Sequence, residues 1–135
     1  MGSIAVTQFD FDRLEKLVQR LRTRDNQPEL ANALEDEIES ADIVDPRQMP
    51  ANVVTMNSEV VVRDLATDEV EKLRVVFPGA AAPGRGAISV LAPLGLALLG
   101  TRTGDEVSWD VPGGSRRLRV ESITYQPEAS GRFDL

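Results

Sequence analysis

Apolar residues recur at helical spacing in the first third of the chain and at alternating spacing thereafter, and the period changes near Asp45-Pro46. After Phe9, the residues Leu14, Leu17, Val18 and Leu21 fall on one face of a helix. Asp10 is placed to cap that helix, and Phe9 to pack against Leu14 as a hydrophobic staple. The polar stretch Thr23-Arg24-Asp25-Asn26-Gln27 breaks the period, and Pro28 opens a second helix whose face carries Leu30, Leu34, Ile38 and Ala41. So short a connection favours antiparallel helices, with Leu34 and Ile38 packed on Leu14 and Leu17. The pattern therefore predicts a helical hairpin, a small coiled coil, over residues 8–45.

Pro46 and Pro50 mark a linker at 46–52, and residues 53–135 read as a second domain. Ser58–Leu65 and Val70–Phe77 are Val-rich strands joined by the turn Ala66-Thr67-Asp68-Glu69. Pro78–Gly86 is a loop, and Ile88–Leu91 a short buried strand. Pro93 then suits the first turn of a helix of barely two turns, apolar on every side and so expected to be enclosed. Gly100 can close it in a left-handed cap. Gly104-Asp105 turns the chain into a strand over Glu106–Val111, and Pro112-Gly113-Gly114 turns it again into Arg116–Tyr125, with Leu118, Val120 and Ile123 inward. The expected class is α+β: a short antiparallel hairpin followed by an antiparallel sheet with one short helix.

Composition removes several chemistries. With no cysteine there is no disulfide framework and no thiolate nucleophile; with no histidine there is neither the commonest metal ligand nor a phosphohistidine. A net charge of −7 opposes phosphate neutralisation, so no sequence-specific nucleic-acid contact is expected, and it suits a basic protein partner. The longest apolar run, Ala87–Gly100, is interrupted by Pro93 and Gly95 and falls short of the ~20 residues a bilayer requires. No secretory or lipidation signal is recognisable, and the expectation is a cytoplasmic, monomeric protein without a cofactor.

Three groups of residues carry a family resemblance. The order strand, Ala92-Pro93-Leu94-Gly95, Ala97-Leu98-Leu99-Gly100, Gly104-Asp105, Trp109 and Pro112-Gly113-Gly114 resembles the C-terminal domain of the Gre transcript-cleavage factors. Val53-Val54-Thr55-Met56-Asn57-Ser58 and Tyr125-Gln126-Pro127-Glu128-Ala129 resemble the regulator of nucleoside diphosphate kinase (Rnk) family, Gre relatives with a shortened helical arm. The resemblance runs from about Asp10 to Leu135 and is specific in combination. It implies an FKBP-like C-terminal domain and RNA polymerase as partner. It further implies docking near the secondary channel in competition with Gre factors, and a DNA-binding association at the level of the family. Docking candidates by position are Leu91, Ala92, Pro93 and Leu94, where Pro93 matches the Gre pattern and the hydroxyl ahead of it is replaced by Ala92. Leu91 is equally readable as core at the end of its strand.

Gre chemistry, as the resemblance implies it, needs two tip carboxylates holding Mg²⁺ against the polymerase centre. The tip candidates here are Arg22, Arg24, Asp25, Asn26 and Glu29. Asp25 and Glu29 are four apart where the Gre motif has three, and with Arg20 the arginines make the tip locally basic. Helices of ~12–14 residues reach only ~20 Å, short of a Gre arm. The expectation is a non-enzymatic regulator that occupies the channel without cleavage; the alternative is a cleavage factor using Asp25 and Glu29. The acidic run Glu35–Asp42 is unfavourable near a helix C-terminus and hints at a basic partner.

Two other classes fare worse. A prolyl isomerase needs an aromatic-lined pocket, and beyond the hairpin only Phe77, Trp109, Tyr125 and Phe133 are aromatic, with Trp109 expected as a strand residue of the core. A nucleotide kinase needs a phosphate-cradling loop, and Pro83-Gly84-Arg85-Gly86 lacks the strand-to-helix setting of one.

Overall fold

The computed structural model of the chain describes residues 4–39 and 41–132, except for the side chains of residue 83 and of residues 109–111. A two-residue strand β1 (Ala5–Val6) leads into α1 (Gln8–Thr23), which a short turn joins to α2 (Pro28–Ile38) and then to β2 (Asp42–Ile43). Thr7 is the cap of α1: its hydroxyl accepts the Asp10 N–H at 3.1 Å. Asp10, expected at the cap, instead lies inside the first turn and is buried. Phe9 is likewise helical and 42% exposed, so no staple forms with Leu14. The predicted face of α1, Leu14, Leu17, Val18 and Leu21, shares one core cluster with Leu34 and Ile38 of α2; Ala31 joins them, Leu30 packs against the cluster half-buried, and Ala41 lies beyond the end of α2. At the bend Asn26 takes φ 50°, a left-handed conformation asparagine tolerates, and the Gln27 N–H returns to the Leu21 carbonyl at 2.7 Å.

β1 and β2 pair in parallel, Ala5 opposite Asp42 and Val6 opposite Ile43, and so clasp the base of the hairpin. A satellite cluster of Ala5, Met49 and Val53, with Val44 against it, packs there. The short 3₁₀ turn Pro46–Gln48 follows β2, and Asp45 caps it by accepting the Arg47 N–H.

The remaining strands are β3 (Glu59–Asp64), β4 (Val70–Val76), β5 (Ala87–Ser89), β6 (Glu106–Val111) and β7 (Gly114–Tyr125), in the order β5-β4-β3-β7-β6. β4 and β5 are parallel, so the sheet is mixed where an antiparallel one was expected. The crossover that a parallel pair requires is residues 78–86, which fold into two 3₁₀ turns. Register shifts in the β3–β7 pair bend the long β7. One face of the sheet buries Val60, Val62, Leu73, Val75, Leu118 and Val120. These join Val54, Met56, Val90, Leu98 and Leu99 and the hairpin leucines in a single cluster, so arm and domain share one core.

Candidate functional site

Three regions were open to carry function: the junction of arm and domain, the turn before the short helix, and the hairpin tip. The junction is built from the two stretches that resemble the Rnk family, residues 53–58 and 125–129, which are buried except for half-buried Asn57 and Tyr125 and exposed Ala129. Thr55 is buried; its hydroxyl meets Ser58 Oγ at 2.8 Å and donates to Glu128 Oε1 at 2.7 Å. The Gln126 amide donates to the carbonyls of Pro50 and Val53 at 2.7 and 2.8 Å, fixing the chain that enters β3. Against this network stands the first turn of α1. Arg13 pairs with Asp10, and its guanidinium lies 4.1 Å from the Phe9 ring centroid and 4.6 Å from that of Phe77. Burial pushes the Asp10 carboxyl up to about 6, with Arg13 pulling it down and the nearby Glu128 carboxylate adding to the rise. Sequence periodicity missed this junction. The signal available was polar residues, Thr55, Ser58, Gln126 and Glu128, inside otherwise apolar stretches.

The turn before the short helix presents the four docking candidates. Val90 is buried, and β5 stops at Ser89, so Leu91 lies in a turn beyond the strand. The Ser89 side chain accepts the Leu91 N–H at 3.0 Å and its carbonyl accepts the Ala92 N–H at 3.0 Å. Ala92 is the cap residue of α3 (Pro93–Leu98), and having no side-chain oxygen it makes no capping bond. Pro93 is exposed, and Leu91, Ala92 and Leu94 are half-buried. Leu91 and Leu94 both pack on the core with one side, so the two readings of Leu91 meet in one residue. α3 is not enclosed: Gly95 and Leu98 are buried while Leu94, Leu96 and Ala97 reach the surface. A Cβ at Gly95 would fall 2.0 Å from the Ser89 carbonyl oxygen, so glycine is what lets α3 lie against this turn. Gly100 has φ +81°, the left-handed conformation expected of it.

At the tip the charges are largely spent. Arg22 forms a two-pronged bond to Glu35, at 2.9 and 2.8 Å, and a third contact with the Asn32 side-chain oxygen at 3.0 Å. It therefore ties α1 to α2 and does not face the tip. Arg20 Nε donates to Asp25 Oδ2 at 3.2 Å. Arg24, Asn26 and Glu29 are exposed, Asn26 at the bend itself and Glu29 in the first turn of α2. The basic character expected of the tip is thus largely compensated, with Arg24 at its end. Among the described residues no three His, Cys, Asp or Glu side chains are grouped to hold a metal ion.

For isomerase chemistry, Phe77 is covered by Arg13 and Tyr125 lies under Arg74 at 5.2 Å. The Trp109 side chain and Phe133 lie outside the described residues. Pro83-Gly84-Arg85 is a 3₁₀ turn within the crossover, with no helix following it to cradle a phosphate. No described helix is long and apolar enough to cross a membrane.

Comparison with known proteins agrees with this fold. The family model "Rnk N-terminus" matches residues 3–44, and "Transcription elongation factor, GreA/GreB, C-term" matches residues 49–125. The regulator of nucleoside diphosphate kinase of Escherichia coli (strain K12) is 37% identical over 137 residues, 97% of this chain and 96% of that protein. Transcription elongation factor GreA of Nautilia profundicola is 39% identical over 93 residues, but this covers only 57% of its length. Among solved structures, a prokaryotic transcription elongation factor GreA/GreB from Nitrosomonas europaea superposes with a TM-score of 0.76 at 38% identity, over 93% of this chain and all of that one. The chain belongs to the Rnk family of Gre-related transcription factors, with an Rnk-type hairpin ahead of a GreA/GreB-type C-terminal domain.

Proposed function

We propose that this protein is a non-enzymatic regulator that binds RNA polymerase near its secondary channel and competes there with Gre factors without stimulating transcript cleavage. The observation that carries the reading is the arm. A Gre-type domain brings a family docking surface, but α1 has 16 residues and α2 has 11, which at ~1.5 Å per residue gives a reach of about 16–24 Å. At its end Asp25 is held by Arg20, and Glu29 stands in the first turn of α2, where the helix dipole favours a carboxylate without any metal. A carboxylate already paired with an arginine and another set apart in the first turn of the next helix do not amount to a preorganised Mg²⁺ site. Influence on nucleoside diphosphate kinase then runs through transcription, because the chain offers neither a phosphate cradle nor a histidine to carry a phosphoryl group.

Docking is assigned to the exposed edge of Leu91, Ala92, Pro93 and Leu94. With no hydroxyl at position 92, the contact is apolar and insensitive to salt. Polymerase binding measured for the wild type and for Leu91→Ser and Pro93→Ser tests this. Weakened binding by folded variants is the expected result, and unchanged binding by both removes this edge from the interface.

A further inference from the structure

On one side of the arm a groove of about 400 Å³ runs between α1 and α2, lined by Phe11, Glu15, Val18, Glu35, Ile38 and Glu39. Its floor is the seam of the hairpin, where Val18 and Ile38 are buried, and Phe11 is half-buried at the end nearer the domain. Three carboxylates rim it. Glu35, toward the tip, is fully engaged by Arg22. Glu15 and Glu39 have no ion pair among the described residues, and both are exposed. Of the cations of α1, Arg13 pairs with Asp10, Arg20 with Asp25 and Arg22 with Glu35, and among the described residues Lys16 forms no ion pair with either carboxylate. α2 has no basic residue in its last turn, so Glu39 stands at the negative end of a helix dipole, where folding gains nothing from it.

We propose that this groove seats a basic segment of the polymerase, with an apolar side chain beside Phe11 and lysine or arginine on either side, against Glu15 and Glu39. The assignment rests on the polymerase reading above. Charge selects the occupant. Nucleic acid and anionic lipid are repelled by the rim, and a second copy facing the same groove would set carboxylate against carboxylate at a net charge of −7 per chain. A protein segment of opposite sign meets both the rim and the apolar floor. Because the floor is already well buried, most of the contribution is ionic, and it fades as salt rises.

The test is binding of full-length protein to core RNA polymerase at low and high salt, comparing wild type with Glu15→Gln/Glu39→Gln and Glu15→Lys/Glu39→Lys. Both positions are exposed, and retained thermal unfolding shows that the variants fold. The expected result at low salt is graded weakening, about tenfold for the lysine pair, with the difference shrinking at high salt. Wild-type binding that both double variants reproduce, or a loss of equal size at every salt concentration, overturns the groove assignment alone. No polymerase binding by the wild type overturns the polymerase reading and the groove with it.

Discussion

Arg13 of α1 and Phe77, just beyond β4, are 64 positions apart in sequence, yet the guanidinium carbon lies 4.6 Å from the ring centroid. Through this pair the arm is fastened to the domain, with Phe9 on the cation's other contact and Asp10 holding its charge. A cation–π contact of this kind contributes about 0.5–2 kcal/mol. Loss of the arginine also leaves the carboxylate of Asp10, 1% exposed, without its ion pair. Arg13→Ala is therefore expected to cost about 2–4 kcal/mol. Phe77→Leu keeps most of the packing and should cost about 1 kcal/mol. Urea unfolding midpoints check both.

Asp10 gives the stability curve a particular sign. Its carboxyl is raised from 3.8 to about 6 by burial, so between those two values the folded protein holds a proton the unfolded chain has released. Stability from this residue therefore increases as pH falls from 7 toward 4, and is lost as pH rises through 6. Glu59, Asp64 and Glu121 act oppositely. Hydrogen bonds, chiefly to Thr124, Arg116 and Arg63 respectively, lower them, so their contribution disappears as pH drops through and below the ordinary carboxylate range. The difference between wild type and Asp10→Asn isolates the first effect. Asp10→Asn should gain relative stability from pH 5 to pH 7, and a pH-independent difference contradicts the assignment.

Thr55→Val tests the buried network in the same junction. The valine fills the same space but leaves Glu128 Oε1 without the Thr55 hydroxyl that donates to it at 2.7 Å. An unsatisfied buried acceptor costs about 1–3 kcal/mol, and calorimetry should find a lowered Tm. Thr55→Ser, which keeps the hydroxyl, should lose much less.

Much of this architecture is legible in the chain, and the parts that are not have a common cause. The helical faces Leu14–Leu21 and Leu34–Ile38 follow from local spacing, and so do the edges of β3, β4, β6 and β7 to within a residue or two. Local chemistry did not separate Thr7 from Asp10 as the cap, since either side chain can accept a helix N–H and only the packing of the domain buries Asp10. The β1–β2 pair and the parallel β5 escape the pattern because two or three residues carry no period. At the candidate site, Pro93 and the tip residues could be named from sequence. The partners that occupy the tip charges could not: Glu35 on Arg22 depends on how two helices face each other, and Arg20 on Asp25 on how the chain turns out of α1.

Gly95 links the fold to the proposed docking edge. A methyl group there would meet the Ser89 carbonyl oxygen at 2.0 Å, and the atoms it meets, in Ser89 and Val90, are all backbone with little room to adjust. Gly95→Ala is expected to cost at least 1–3 kcal/mol and to displace the Leu91–Leu94 edge. Polymerase binding should weaken under conditions where the variant is still folded by circular dichroism.

The central claim, occupation of the Gre position without Gre chemistry, is most directly tested on backtracked polymerase, following transcript length with the protein alone and with a Gre factor. The account predicts no shortened transcript from the protein alone at saturation, and a Gre-driven cleavage rate that falls as the protein is added. Cleavage by the protein alone that Asp25→Ala or Glu29→Ala abolishes would contradict it, as would Gre cleavage that proceeds unchanged at every concentration of the protein.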